Sequence, residues 1–225
     1  MDAEFCGWYN QEKDCKRMAL LRGKLWSERK CFSMENLARD IPPVTEIIEG
    51  KVYLMSPRPR MGHNFTASNI YRIFANYLAG KPCKAIADGS DVFLDNENRY
   101  VPDVMIVCDR SKIHRDGIHG APDLVVEVLS PSTTKNDRGA KMLHYAAAGV
   151  KEYWIVTPIG KTVEVYRNQD GRFFLDAVYT DYDDWELAHM DDDERADVHM
   201  EIPVLLYEDF YVRVKDVFDD IDDFT

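Results

Sequence analysis

Asp123–Ser130, DLVVEVLS, opens on Asp123 and then sets five aliphatic residues around one carboxylate, Glu127. A run so short and so apolar, bounded by Ala121-Pro122 upstream and Pro131-Ser132 downstream, reads as a strand covered on both faces. An unpaired carboxylate on such a strand costs several kcal/mol, so Glu127 implies a compensating cation or a functional use. Downstream, SPSTT leads into a helix predicted over Thr134–Ala148 and closed by Gly149. Lys151–Thr157, KEYWIVT, is a second buried strand. A strand–helix–strand step of this length implies a parallel crossover.

Upstream, Tyr100–Cys108 (YVPDVMIVC) reads as a strand that carries Asp103. Pro102 cannot donate a ladder hydrogen bond, which places a bulge or strand end beside it. Ala85–Leu94 reads as a strand with a glycine interruption, and RSKIHRDGIHGAP as a loop. HNFTASNIYRIFANYLAG aligns Ile70, Ile73, Phe74, Tyr77 and Leu78 on one face of an amphipathic helix that ends at Gly80. TEIIEGKVYLM reads as a hairpin turning at Glu49-Gly50, and Thr162–Tyr166 with Phe173–Tyr179 as another around Gln169-Asp170-Gly171. The resulting α/β class is a mixed sheet flanked by helices, with an αβββαβ core, an N-terminal hairpin and C-terminal additions.

A chain of 225 residues suits one domain with appendages. Residues 1–33 read as an N-terminal extension with a short helix over Arg17–Trp26; Met18 and Met34 are alternative starting points. MENLARDIPP reads as a helix ended by Pro42 and Pro43. The main domain is expected over 34–218, with a long mobile acidic loop over about 181–201 and an acidic tail over 219–225. Residues 176–225 hold 18 of the 40 acidic residues and three of the 28 basic ones, leaving 22 acids against 25 bases in residues 1–175. The net charge of −12 is therefore local, and the remainder permits phosphate contacts without demanding them. The acidic segment is either a solvated surface or a competitor for a nucleic-acid site. No run approaches the roughly 20 apolar residues of a membrane span, and the N-terminus lacks a secretory pattern. Five cysteines without a C-x-x-C pair argue against a disulfide framework and a cysteine zinc site, and for a reducing cytoplasm.

Asp103 and Glu127, on neighbouring strands and one face, make an oxygen-rich site for Mg²⁺ or Mn²⁺. A buried salt bridge or a helix-capping pair is the alternative. No H-E-x-x-H, Gly-rich phosphate loop or G-x-S-x-G elbow is present, which leaves nucleotide-binding and serine-hydrolase readings without support.

PDV at 102–104, APDLVVEVLSPST at 121–133 and KMLHYAAAGVKEYWIV at 141–156 resemble the Uma family of restriction-endonuclease-like proteins, in the PD-(D/E)XK nuclease superfamily. The similarity runs from about Met34 to Phe218 and includes EIIEGKVYLMSP and IPVLLYEDFYVRVKDVF. It implies a restriction-endonuclease-like fold and a Mg²⁺-dependent endonuclease, a hydrolase acting on phosphodiester bonds in DNA. It puts the metal on Asp103, Glu127 and the backbone carbonyl of Val128. The superfamily expects a lysine two positions after the glutamate, where this chain has Leu129. The best substitute is Lys141, which shares a helix face with Asp137 and Tyr145; Lys135 is a weaker one. The alternative is an exposed Asp137–Lys141 ion pair, and Asp137 also suits a cap on Thr134. Glu46 and His63 match family positions, as a further ligand or base and as a group that positions water or phosphate. Two readings stand beside the endonuclease: a nuclease-fold module that binds nucleic acid or a protein without cutting, and hydrolysis of RNA or small nucleotides. The two-strand geometry of DNA cutting suggests a homodimer by analogy.

Overall fold

The computed structural model describes residues 44–54, 59–87 and 89–221. The extension 1–33, the helices expected over Arg17–Trp26 and in MENLARDIPP, and the end of the acidic tail lie outside them. The hairpin of β1 (Thr45–Ile48) and β2 (Lys51–Leu54) comes first, then helix α1 (Met61–Tyr77). Next are β3 (Lys84–Ala87), β4 (Val92–Phe93), β5 (Arg99–Tyr100), β6 (Val104–Val107), β7 (Ile118–His119) and β8 (Leu124–Val128). Helices α2 (Thr134–Asp137) and α3 (Ala140–Ala148) lead to β9 (Glu152–Thr157) and the hairpin of β10 (Thr162–Gln169) and β11 (Arg172–Thr180). The chain closes through α4 (Asp184–His189), α5 (Asp192–Ala196), β12 (Glu201–Pro203), β13 (Tyr211–Arg213) and α6 (Val214–Val217).

β8 is buried along its whole length because it lies inside a six-stranded sheet of order β11-β10-β9-β8-β6-β3. It pairs with β6 antiparallel and with β9 parallel, the crossover that the strand–helix–strand step implies. Both faces of the sheet are covered. On one, Ile70 and Phe74 of α1 join Leu124, Val126 and Trp154 with Ile202, Phe210, Val212 and Phe218 of the closing segment. On the other, Tyr145 of α3 packs with Met105, Val125, Tyr153 and Ile155. A second sheet, β2-β1-β5-β4-β7, brings the first hairpin beside the β5–β6 connection. Both predicted hairpins turn through two residues of positive φ, Glu49 and Gly50 (52° and 72°) and Asp170 and Gly171 (52° and 79°). This geometry matches the twist of the paired strands.

Several expectations are corrected. Ala85–Leu94 is two strands in two sheets, β3 and β4, and the strand expected over Tyr100–Cys108 likewise divides into β5 and β6 around Pro102. The segment expected as a loop before Pro122 contains a 3-10 turn at Arg110–Lys112 and β7. The helix over Thr134–Ala148 breaks at Gly139, where a Cβ would stand 2.7 Å from the Lys135 carbonyl oxygen. The acidic stretch is not all loop: α4 and α5 begin with reciprocal capping boxes, Asp183 with Glu186 and Asp191 with Glu194. D-x-x-E placed twice in an acidic run reads as mere charge, yet it satisfies the first free N–H groups of each helix. Cys83 and Cys108 form a disulfide, S–S 2.01 Å, against the expectation of unpaired cysteines on which the reducing compartment rested. The pairing Lys84↔Val107 explains it, because one step outward in register sets the two cysteines opposite each other. No helix among the described residues is long and apolar enough to cross a membrane.

Candidate active site

Asp103 stands one residue ahead of β6, where Pro102 interrupts the ladder. Because Val104 pairs with Val126, one further step in register puts Asp103 opposite Glu127, and opposite residues share a face. The Asp103 Oδ2 atom accepts the backbone N–H of Val128 at 2.7 Å. His63, in the first turn of α1, brings its Nε2 to 3.4 Å from the same oxygen. Glu127 itself is 3% exposed.

Lys141, on the first turn of α3, reaches back under the sheet with its side chain only 2% exposed. Its Nζ lies 2.8 Å from Glu46 Oε1, 3.1 Å from Asp137 Oδ1 and 3.2 Å from Glu127 Oε1. The contact to Glu127 is a formed hydrogen bond, and Tyr145 donates its hydroxyl to the same oxygen at 3.3 Å. Glu46 Oε1 also accepts the Val101 N–H at 3.1 Å, which ties β1 to the connection that carries Asp103. Tyr153 donates its hydroxyl to the Asp137 carbonyl at 2.9 Å and holds α2 against the sheet.

Three carboxyl groups, of Glu46, Glu127 and Asp137, thus meet one ammonium, and Asp103 stands opposite Glu127. Burial pushes the Glu127 carboxyl well above its ordinary 4.5; Lys141 pulls it down, and Asp137, Asp103 and Glu46 raise it again. Burial works against the charge of Lys141, but Glu127, Asp137 and Glu46 outweigh it and hold the group well above 10.5. Lys141 is therefore held as a cation, with more carboxyl groups around it than it can match one to one.

All five side chains singled out in the sequence, Glu46, His63, Asp103, Glu127 and Lys141, meet at this site. Val128 contributes its N–H to Asp103. Two alternatives are overturned. The Asp137–Lys141 pair is buried, not exposed, because α2 and α3 fold under the sheet edge at Gly139. Asp137 does not cap the helix at Thr134; α2 has no side-chain cap, and Thr134 donates its hydroxyl to the Ser130 carbonyl at 2.7 Å. Lys135 is exposed, and Leu129 packs against the core. Sequence reasoning set Tyr145 on the right helix face without giving it a contact; the i+4 step from Lys141 was the available signal.

Among the described residues, no group of three or more His, Cys, Asp or Glu side chains is arranged to hold a metal ion. The Asp103–Glu127 pair still suits a hard divalent cation. Mg²⁺ keeps several waters and is commonly bound through one or two carboxylates plus substrate phosphate, whereas a softer metal would require nitrogen or sulfur donors.

Comparison with known proteins agrees with this fold. An uncharacterized protein of Synechocystis sp. is 30% identical over 133 residues, which are 58% of this chain and 70% of the relative. The crystal structure of "a putative nuclease belonging to DUF820" from Anabaena variabilis superposes with a TM-score of 0.60 at 22% identity, over 84% of this chain and 99% of the other. That likeness shows the shared fold, a mixed sheet flanked by helices of the restriction-endonuclease-like kind. Residues 34–190 match the Uma2 family, described as "Putative restriction endonuclease". The match spans more than half of the sequence, and the chain belongs to the Uma2 family.

Proposed function

We propose that this protein is a metal-dependent endonuclease that hydrolyses phosphodiester bonds in DNA. The observation that carries the reading is the convergence of Asp103 and Glu127 with a buried lysine, Lys141, from the following helix. Lys141 fills the role of the lysine missing at Leu129, because its ammonium lies 3.2 Å from the Glu127 carboxylate. Asp103, Glu127 and the Val128 carbonyl hold Mg²⁺ or Mn²⁺. When bound there, such a cation supplies Lewis acidity toward a phosphodiester oxygen. The chain's own groups do the rest. The Val128 N–H and His63 orient the Asp103 carboxylate. Lys141 presents positive charge where negative charge develops on phosphate. Glu46 keeps that ammonium in place.

The same reading takes DNA as the partner, a homodimer as the cutting unit, the cytoplasm as the location and 34–218 as the nuclease domain, with 1–33 appended. A second reading, a nuclease-fold module that binds without cutting, is favoured by one observation: the Lys141 ammonium is shared among three carboxylates.

The test is a titration of Mn²⁺ into wild type and into Asp103→Asn/Glu127→Gln, followed by heat of binding and by thermal stability. Saturable binding that stabilises the wild type and vanishes in the double variant is expected. No saturable binding, with the double variant at least as stable, would leave the non-cutting module as the better reading.

A further inference from the structure

We propose that Glu46 and Asp137 are positioning residues that hold the Lys141 ammonium back from Glu127, and so determine how much of that carboxylate is left for a divalent cation. The inference rests on Asp103 and Glu127 being the metal-binding pair.

The ammonium donates its hydrogen bond to Glu127, while Glu46 and Asp137 draw on it from the other side as close ion pairs. Its shortest contact is to Glu46 at 2.8 Å, and its longest is to Glu127 at 3.2 Å. The two holders are anchored independently of the lysine. Glu46 is fixed on β1 and accepts the Val101 N–H at 3.1 Å. Asp137 sits at the end of α2, whose last carbonyl is tied to Tyr153. On Glu127, both the ammonium and the Tyr145 hydroxyl meet one oxygen, Oε1. The three carboxylates therefore share one cation that is covalently part of the chain. Loss of a holder shifts that cation onto Glu127, where it competes with the metal.

A double-mutant cycle on the full chain tests this, with Mn²⁺ affinity read by calorimetry and folding checked by thermal melting. Lys141→Met should tighten Mn²⁺ binding, and Asp137→Asn should weaken it by about tenfold in the wild-type background. With Lys141→Met already present, Asp137→Asn should change affinity by less than about threefold, since its effect passes through the lysine. An equal weakening in both backgrounds would reduce Asp137 to one more negative charge and overturn the proposal. So would Lys141→Met binding no tighter than wild type. Glu46→Gln leaves the lysine in place and gives an arm that does not depend on Lys141→Met folding; it should weaken binding as Asp137→Asn does, and unchanged affinity would also overturn the proposal. Saturable binding in wild type with no coupling leaves the metal-binding reading intact. No binding in wild type or in Lys141→Met removes both.

Discussion

Glu127 and Glu152 sit on neighbouring strands, one inside an apolar run and the other at the head of one, and they are buried on opposite faces of one sheet. Glu127 pairs in register with Ile155 and Glu152 with Leu124, and these two belong to different halves of the core. Glu152 is fully buried, with both oxygens taken by fixed donors: the Trp154 indole N–H at 2.6 Å and the Leu205 backbone N–H at 2.7 Å. The Arg167 guanidinium adds a longer contact at 3.8 Å. This glutamate ties the closing segment to the sheet. Glu127 instead shares one flexible ammonium with two other carboxylates and faces Asp103. A buried acid whose donors are matched one to one holds a fold together. A buried acid grouped with other carboxyl groups around one ammonium is a place for a cation and for chemistry.

The sharpest way to break this contrast is Glu127→Gln. Cleavage should fall by about 10²–10³-fold, while thermal stability stays level or rises because a desolvated charge is removed. A clear drop in melting temperature would make Glu127 a structural tie like Glu152.

Glu152→Ala should do the reverse. Two buried N–H donors lose their acceptor, at a cost of about 2–5 kcal/mol in urea unfolding. Cleavage per folded molecule should be unchanged, and a loss of activity in the folded fraction would erase the distinction.

The pH dependence of Glu152→Gln sharpens the comparison further. Burial raises the Glu152 carboxyl above its ordinary 4.5, against the pull of its hydrogen bonds. The folded state therefore binds that proton more tightly than the unfolded state, and wild-type stability declines as pH rises from 4.5 toward the folded value. Glutamine has no such slope. The stability gap between wild type and Glu152→Gln should narrow as pH rises through that window, and a widening gap would mean that the hydrogen bonds outweigh desolvation.

Tyr145→Phe should have the smallest effect. It removes a long hydrogen bond to Glu127, 3.3 Å, so stability should change by no more than about 1 kcal/mol and Mn²⁺ affinity by less than about tenfold. A loss equal to that of Glu127→Gln would show the phenol to be as much a part of the site as the carboxylate.

Much of this molecule was legible before any coordinates. DLVVEVLS announced a central strand because every position in Leu124–Val128 is removed from water. Pro102 marked the ladder break that frees Asp103. The i+4 spacing puts Lys141 and Tyr145 on one face of α3, the inner one, and Asp137 joins them from α2 across the break at Gly139. Other features were hidden for particular reasons. The helix expected over Thr134–Ala148 runs through Gly139, although at the break there a side chain would collide with the Lys135 carbonyl. The Cys83–Cys108 bond follows from the register of β3 and β6, which residue spacing does not contain.

The two glutamates mark the boundary most clearly. Period and composition determine which side chains leave water, and they place Glu127 and Glu152 in buried strands by the same signal. They do not determine which donors arrive to meet a buried charge. For Glu152 the decisive N–H comes from Leu205, 53 residues later, and Lys141 finds its nearest carboxylate on Glu46, in a hairpin near the start of the described chain. Only the tertiary structure brings such partners together, because a carboxylate is stabilised by the groups within a few ångströms of it and local sequence fixes only a few of those.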